Sequence, residues 1–202
     1  MTGKKLLLRV NCGSQMHLEH QIEYEAHALR LMEGSGRTPK VLYVDGSKKI
    51  LEHGVLVMEY LPGHAMDYHT ELMLAAPCLA DIHSVPIPES EEILIHPQNP
   101  LKAILEECEE MFKVYLESPL GDGEKKTYIR ELLNLGWKRE AEIQLESGYQ
   151  CCINTELNST NLLINGEGKS NYLIDWEKPL FGNPAQDLGH FLAPTTTFWK
   201  TD

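Results

Sequence analysis

The sequence predicts an α+β fold in which a small, strand-rich part precedes a mainly helical part. Short apolar runs separated by turn residues fill the N-terminal third of the chain, and Pro62-Gly63 interrupts that pattern sharply. Helical spacing of apolar residues prevails over most of residues 70–146. We therefore expect a domain boundary at Pro62-Gly63, with residues 1–61 forming a first lobe and residues 62–202 a second.

The composition is typical of a soluble globular protein. The chain has 202 residues, of which 42% are hydrophobic and 24% charged, and its formal net charge is -12. Its apolar runs are shorter than the roughly 18 to 20 residues that span a bilayer, and the acidic balance argues against nucleic acid as the main partner. Five cysteines without a C-x-x-C pair, and no signal-peptide pattern, predict reduced thiols in a cytoplasmic protein.

The N-terminal part is predicted to consist of three strands and a helix. The run LLLRVN at residues 6–11 predicts the first strand. Apolar side chains at helical spacing predict a helix over residues 18–33, which two nearby glycines end. The two remaining strands, on either side of a DGS turn, are predicted at residues 41–45 and 50–61.

Three helices are predicted after the boundary. The first covers residues 70–84 and is kinked or interrupted at Pro77. The second covers residues 100–117, with Asn99 as its cap. The third follows a GDGE turn and covers about residues 125–146. The inner face of the second helix is predicted to carry Leu101, Ile104, Leu105, Cys108, Phe112 and Tyr115.

A short β-hairpin is predicted near the C-terminal end. Its strands lie in NLLIN at residues 161–165 and NYLIDW at residues 171–176, on either side of NGEGKS. Gly168-Lys169-Ser170 resembles the end of a phosphate-binding P-loop, but the first glycine of that pattern would fall at Leu163. Because the segment also lies in a turn and not before a helix, a P-loop is excluded.

The segment NTELNSTN carries a carboxylate and an amide at kinase-type spacing. Glu156 precedes Asn161 by five residues, and Asp175 follows at the end of an apolar run. Phosphoryl transfer needs one carboxylate to orient the acceptor hydroxyl, and an amide oxygen with a second carboxylate to hold Mg²⁺. The spacing by itself leaves open that Glu156 is an ordinary solvated loop acid.

A second pair of charged residues lies in the N-terminal part. Glu25 falls on the apolar face of its helix, where an isolated carboxylate would be costly, so it needs a cationic partner. Arg9, near the end of the preceding strand, is the candidate. A strand cation paired with a helix acid places positive charge on nucleotide phosphates in kinases. A purely structural ion pair is the alternative.

These motifs resemble, in their order along the chain, the aminoglycoside phosphotransferase and choline kinase-like family of small-molecule kinases. The resemblance covers nearly the whole chain: LLLRVN, EYEAHALRLMEGSG, VLVMEYLPG, LADIHS, NTELNSTNLLI and LIDWEKPLFGNPAQDLGHF. It implies a protein-kinase-like, two-lobed fold. The N-lobe would contain an incomplete small antiparallel sheet, and the mainly helical C-lobe would contain the short catalytic β-hairpin.

The resemblance also implies roles for individual residues. The implied catalytic residues are Glu156, as the base, with Asn161 and Asp175, which would also be the Mg²⁺ ligands. The implied ATP-binding residues are Arg9 at the phosphates, its partner Glu25, and the adenine-binding hinge of Met58, Glu59, Tyr60 and Leu61. Asp187 would support the catalytic loop, and His83 would be a packed core histidine.

The sequence departs from the family pattern in its loop and at its ends. The family loop usually reads H-G-D-x-x-x-x-N, whereas Asn154 and Glu156 replace the histidine and the aspartate here. Glutamate moves the carboxylate by about 1.5 Å, and a misplacement of about 1 Å can cost about a hundredfold in rate. The glycine-loop hairpin before Leu6 and the helices after DLGHF are expected to be missing, as in a chain truncated at both ends.

The predicted function is therefore an ATP-dependent phosphotransferase that acts on a hydroxyl of a small molecule, such as an aminoglycoside or choline. Another nucleoside triphosphate could replace ATP, and neither nucleic acid nor a membrane is an expected partner. The alternative is a non-catalytic nucleotide- or metabolite-binding protein with a kinase-like fold, or an inactive fragment. The sequence leaves the acceptor open, because one fold supports many substrates.

Overall fold

The computed structural model describes residues 3–143, 149–166 and 171–197. Small antiparallel sheets and helices, grouped in runs along the chain, make up these residues, which confirms the predicted fold class. The chain divides into two compact units, one formed by Met1–His96 with Gln150–Asp202 and the other by Pro97–Tyr149. The lobe boundary predicted at Pro62-Gly63 falls inside the first unit and stays a prediction.

The first sheet of the first unit contains the three strands predicted in the N-terminal part. Strands β1 (Leu6–Asn11), β2 (Val41–Asp45) and β3 (Gly54–Glu59) are antiparallel in the order β1-β3-β2. Strand β3 begins later than residue 50, where the sequence predicts it. The turn after β2 is longer than DGS because Lys48 also turns the chain, with a φ of 55°, and Ile50 is exposed.

Helix α1 (Gln21–Met32) packs against this sheet and begins three residues later than predicted. The backbone at His17 has a φ of 56°, and the Ser14 hydroxyl accepts the N–H of Leu18 at 2.9 Å, so the chain turns before the helix starts. Apolar side chains at helical spacing face the core, as the sequence predicts, and Glu25 is buried among them. The buried apolar residues of the helix are Ile22, Tyr24, Ala26, Ala28, Leu29 and Met32.

Helix α2 (Leu72–His83) is continuous through Pro77, so the predicted interruption is wrong. A proline removes the N–H that would bond the carbonyl oxygen four residues earlier. Here that oxygen belongs to Met73, which is 80% exposed, so water can replace the missing donor.

The predicted β-hairpin is present. Strands β6 (Leu162–Ile164) and β7 (Asn171–Leu173) pair antiparallel, and β4 (His64–Ala65) extends their sheet in the order β4-β6-β7. Gly168-Lys169-Ser170 lies outside the described residues. Strands β5 (Cys151–Ile153) and β8 (Leu180–Gly182) form a further pair. Helices α5 (Ala185–Leu192) and α6 (Pro194–Thr197) follow.

The second unit contains two helices that contact each other, α3 (Pro100–Glu117) and α4 (Gly123–Glu142). Asn99 caps α3 as predicted, since its side chain accepts the N–H of Lys102 at 3.0 Å. Within the predicted inner face, Phe112 is buried and Leu101, Leu105 and Tyr115 are half-buried. Ile104 and Cys108 are exposed, so the prediction is wrong for them. A helix that packs against one partner helix buries a narrower stripe of its surface than a helix that packs into a complete core.

Helix α4 ends at Glu142, and residues 144–146 of the predicted helix lie outside the described parts of the chain. Within the described parts, none of the helices combines the length and the apolar composition needed to cross a membrane.

The core of the first unit predicts a large difference between two leucine truncations. Leu29 of α1 is 1% exposed, whereas Leu42 of β2 is 50% exposed. Leu29→Ala should lower the free energy of unfolding by about 2–5 kcal/mol because it leaves a cavity in a packed core. Leu42→Ala is the matched control and should cost much less. Urea unfolding followed by circular dichroism measures both, and equal losses would contradict this description of the core.

Candidate active site

Arg9 of β1 is in contact with three carboxylates. Its Nε lies 2.9 Å from Oε2 of Glu25 in α1, and its Nη1 donates to Oδ1 of Asp175 at 2.9 Å. Its Nη2 donates to Oε2 of Glu177. The structure therefore joins Arg9 to Glu25, as the sequence predicts, and adds Asp175 and Glu177. These four residues are called the arginine cluster below.

Glu25, the buried member of this cluster, has a raised pKa. Glu25 is almost completely buried, and its Oε2 accepts no hydrogen bond within the described residues, so Arg9 acts on it as an ion-pair partner only. Burial raises the pKa of Glu25 from its ordinary value of 4.5 to about 7, although Arg9 opposes the shift. Burial lowers the pKa of Arg9, but the three carboxylates more than offset this and raise it.

The loop of residues 154–161 is anchored by a buried carboxylate. Asp187 of α5 is fully buried, and its two oxygens accept the backbone N–H of Asn154 at 3.1 and 3.0 Å. One of them also accepts the N–H of Thr155 at 2.9 Å. Nε2 of His83, at the end of α2, lies 2.9 Å from the other oxygen. Asp187 therefore holds the start of the loop, and His83 packs behind it.

Asn154, which replaces the histidine of the family pattern, joins the loop to the chain after β7. Its side chain is buried, its Nδ2 donates to the carbonyl oxygen of Asp175 at 2.8 Å, and its Oδ1 accepts the N–H of Glu156 at 3.2 Å. The amide thus fixes the backbone on both sides of the site through hydrogen bonds, without a positive charge.

Asn161 is fixed by one contact within its own loop and by one contact with the chain after β7. Its Nδ2 donates to the carbonyl oxygen of Glu156 at 3.0 Å, and its own carbonyl oxygen accepts the N–H of Ile174 at 2.8 Å. Because its nitrogen bonds the loop, the amide oxygen is the side-chain atom that can serve as a metal ligand. Ile174 immediately precedes Asp175, so the same framework carries all three predicted catalytic residues.

Three residues of the site were missed in the sequence: Thr155, Glu177 and Lys178. Thr155 occupies the glycine position of H-G-D and has a φ of 65°, which is costly for a β-branched residue. Its hydroxyl donates to the carbonyl oxygen of Lys178 at 2.7 Å. The threonine at a glycine position was a usable signal, whereas the contacts of Glu177 and Lys178 depend on chain segments that are distant in sequence.

The carboxylate of Glu156 has a cationic partner. Nζ of Lys178 lies 3.2 Å from its Oε1, and the two side chains are 23% and 25% exposed. Glu156 is therefore neither an isolated solvated acid nor a fully buried one.

The predicted hinge lies at the end of β3 and in the residues that follow it. The N–H of Glu59 donates to the carbonyl oxygen of Lys40 at 2.9 Å, so this group is already bonded. Nζ of Lys5 lies 5.4 Å from the centre of the Tyr60 ring. Adenine binding by this segment stays a prediction and has to use its other backbone groups.

A cavity of about 470 Å³ lies beside the arginine cluster, within the size range of small-molecule sites. Its lining combines Arg9 and Glu177 with the small and polar residues of the chain between β1 and α1. The full set is Arg9, Val10, Asn11, Cys12, Gly13, Ser14, Gln15 and Glu177.

The oxygen donors of the site fit Mg²⁺ and not an all-protein metal centre. Within the described residues, no group of three or more His, Cys, Asp or Glu side chains is arranged to hold a metal ion. Mg²⁺ usually binds through one or two carboxylates together with substrate phosphates and water. The amide of Asn161 and the partly exposed carboxylate of Asp175 match that requirement.

The chain matches the model of one protein family. The model of APH, the phosphotransferase enzyme family, matches residues 2–202. None of the curated protein sequences matches the chain.

Several solved structures are similar to this chain. An AMP-bound spectinomycin phosphotransferase, APH(9)-Ia, has a TM-score of 0.62 and 17% identity over 93% of this chain and 63% of its own. A thermostable mutant of the aminoglycoside phosphotransferase APH(4)-Ia has a TM-score of 0.70 and 14% identity, over 100% and 70%. The ethanolamine kinase of Plasmodium vivax has a TM-score of 0.68 and 16% identity, over 98% and 58%.

At these identities the likeness concerns the fold alone, and it confirms the kinase-like phosphotransferase fold. The chain spans 58% to 70% of the lengths of these three proteins.

The buried Glu25 predicts a specific pH dependence of stability. Between pH 4.5 and about 7 the folded protein retains a proton on Glu25 that the unfolded chain releases. Raising the pH through this window therefore lowers the free energy of unfolding, by at most about 1.4 kcal/mol per pH unit. Urea unfolding at pH 5, 6 and 7 should show this loss for the wild type and a smaller one for Glu25→Gln.

The matched control for this experiment is Glu33→Gln, which removes an exposed carboxylate paired with Lys40. It should retain the wild-type pH slope. A Glu25→Gln variant with the same slope as the wild type would show that Glu25 does not retain its proton in the folded protein.

Proposed function

The chain belongs to the phosphotransferase enzyme family, and on that premise we propose that it transfers the γ-phosphate of ATP, or of another nucleoside triphosphate, to a hydroxyl of a small molecule. The main observation in support is the shared framework of the three candidate catalytic residues. Asn154 bonds Glu156 and Asp175, and Asn161 bonds Glu156 and Ile174. Phosphoryl transfer depends on such fixed positioning more than on covalent chemistry by the protein.

Glu156 is proposed as the residue that orients the acceptor hydroxyl and accepts its proton. Its carboxylate is a quarter exposed and therefore accessible to an acceptor. It stands at the position of the aspartate in the family loop, and its backbone N–H and carbonyl oxygen are both bonded within the loop framework. A general base needs this combination of a fixed backbone and an accessible carboxylate.

Arg9 is proposed to bind the phosphates of the nucleotide in the neighbouring cavity. Asn161 and Asp175 would hold Mg²⁺, which when bound neutralises the charge that develops on the transferred phosphoryl group. Because Nη1 of Arg9 bonds Asp175, nucleotide binding would redistribute these contacts. Met58, Glu59, Tyr60 and Leu61 would then provide backbone contacts to adenine. The nucleotide proposal is supported by solved neighbours in complexes with AMP and ADP.

The proposed acceptors are hydroxyl-bearing amines. Neighbouring structures include complexes with spectinomycin, hygromycin B and gentamicin, as well as an ethanolamine kinase. A net charge of -12 is compatible with a cationic acceptor. Aminoglycosides, choline and ethanolamine are therefore the compounds to test first.

A non-catalytic nucleotide-binding protein is the second candidate function. The observations that favour it are the strained backbone at Thr155 and the replacement of the family aspartate by Glu156. Under this alternative, Mg·ATP would raise the melting temperature of the protein without being consumed in the presence of any acceptor. A thermal-shift titration alongside the turnover assay separates the two functions.

The proposed reaction predicts that one carboxylate substitution strongly reduces turnover. Asp175→Asn retains the side-chain shape but removes the charge of a proposed Mg²⁺ ligand. The rate of ADP formation with a productive acceptor should fall by at least about a hundredfold, the scale of losing one electrostatic contact in a transition state. Asp81→Asn, at an exposed aspartate paired with Arg37, is the control and should keep the wild-type rate. An unchanged rate in Asp175→Asn would refute this mechanism.

A further inference from the structure

We propose that Lys178 is a positioning residue that holds the Glu156 carboxylate in place for catalysis and so makes a glutamate work where the family uses an aspartate. This inference rests on the proposed phosphotransferase function. Its first support is the ion pair itself, in which Nζ of Lys178 lies 3.2 Å from Oε1 of Glu156. Neither residue belongs to the arginine cluster.

The backbone of Lys178 is fixed by the same loop that carries Glu156. The hydroxyl of Thr155 donates to the carbonyl oxygen of Lys178 at 2.7 Å. Thr155 makes this contact from a left-handed backbone conformation, with a φ of 65°. A glycine at this position would relieve the strain but would lack the hydroxyl, so Thr155 is accounted for by its bond to Lys178.

The loop residues that depart from the family pattern all contact one segment. Asn154 bonds the carbonyl oxygen of Asp175, Thr155 bonds the carbonyl oxygen of Lys178, and Glu156 pairs with the Lys178 side chain. The sequence Asn-Thr-Glu thus forms a connected set of contacts with residues 175–178. This is the arrangement expected if the loop is built around glutamate.

Glutamate needs such a partner more than aspartate does. Its side chain has one further rotatable bond and places the carboxylate about 1.5 Å farther from the backbone. A displacement of about 1 Å at a reacting group can cost about a hundredfold in rate. Arg9 cannot serve as the partner in this arrangement, because its three nitrogen groups contact Glu25, Asp175 and Glu177. In the described part of the chain, the cation that pairs with Glu156 is Lys178.

A purely structural ion pair makes different predictions. A purely structural pair predicts that removing the lysine lowers the melting temperature and leaves kcat unchanged, whereas the positioning role predicts a loss of kcat in a folded protein. Because both side chains keep about a quarter of their surface open to water, Lys178→Met is expected to stay folded at the assay temperature. Lys102→Met is the matched control, because it removes another lysine that pairs with a glutamate, Glu106, at 3.7 Å in the second unit.

The test is steady-state kinetics on wild type, Lys178→Met, Lys178→Arg, Glu156→Asp and Glu156→Asp/Lys178→Met, with Mg·ATP and the best acceptor among aminoglycosides, choline and ethanolamine. Lys178→Met should lower kcat about 10- to 100-fold and leave the KM for ATP unchanged, and Lys178→Arg should restore most of the rate. In the Glu156→Asp background, Lys178→Met should cause no further loss, because the shorter carboxylate no longer meets the lysine.

Two kinetic outcomes would overturn the proposal. One is a Lys178→Met variant as active as wild type and Lys102→Met. The other is an equal loss from Lys178→Met in both backgrounds, which would show that the lysine acts independently of Glu156.

Failure of the proposed function is recognised separately, as no turnover by the wild type with any acceptor. In that case, crystal structures of the wild type and Lys178→Met test the positioning role of Lys178. A Glu156 carboxylate that leaves its position when the lysine is removed supports the positioning role, and an unmoved carboxylate overturns it.

Discussion

The buried carboxylate of Asp187 is the constraint on which the rest of the site depends. A charge without access to water has to be satisfied by hydrogen-bond donors, and the donors here are the N–H groups of Asn154 and Thr155 together with His83. This fixes where the loop begins. The loop then reaches the chain after β7 through Asn154 and Asn161, so the proposed catalytic groups are held by the core of the first unit.

Arg9 and Lys178, the two cations described in the site, contact different carboxylates. Arg9 contacts Glu25, Asp175 and Glu177, a cluster in which negative charge exceeds positive charge. Such a cluster favours an additional cation, which agrees with the proposed binding of Mg²⁺ with a nucleotide. Lys178 contacts Glu156 instead. Under the positioning role proposed for Lys178, this contact is what would allow a glutamate to replace the family aspartate.

The sequence was sufficient for features that depend on neighbouring residues. The Asn99 cap, the β6–β7 hairpin and the Arg9–Glu25 pair follow from local patterns and from the cost of burying a carboxylate. The sequence was insufficient for features that depend on contacts between segments distant in sequence. Strands β4, β5 and β8 have two or three residues and no periodicity of their own, and Lys178 meets Glu156 only after folding. The interruption predicted at Pro77 was wrong because the exposure of Met73, four residues earlier, is a property of the folded chain.

The central claim is that Glu156 acts as the base in transfer of a phosphoryl group to a hydroxyl. The most direct measurement is phosphorus NMR of the wild type and Glu156→Gln, each incubated with Mg·ATP and the same acceptor at concentrations where both proteins bind the nucleotide. The account predicts a new phosphoester signal with the wild type and its loss in Glu156→Gln. A phosphoester that forms equally fast with Glu156→Gln would contradict the account.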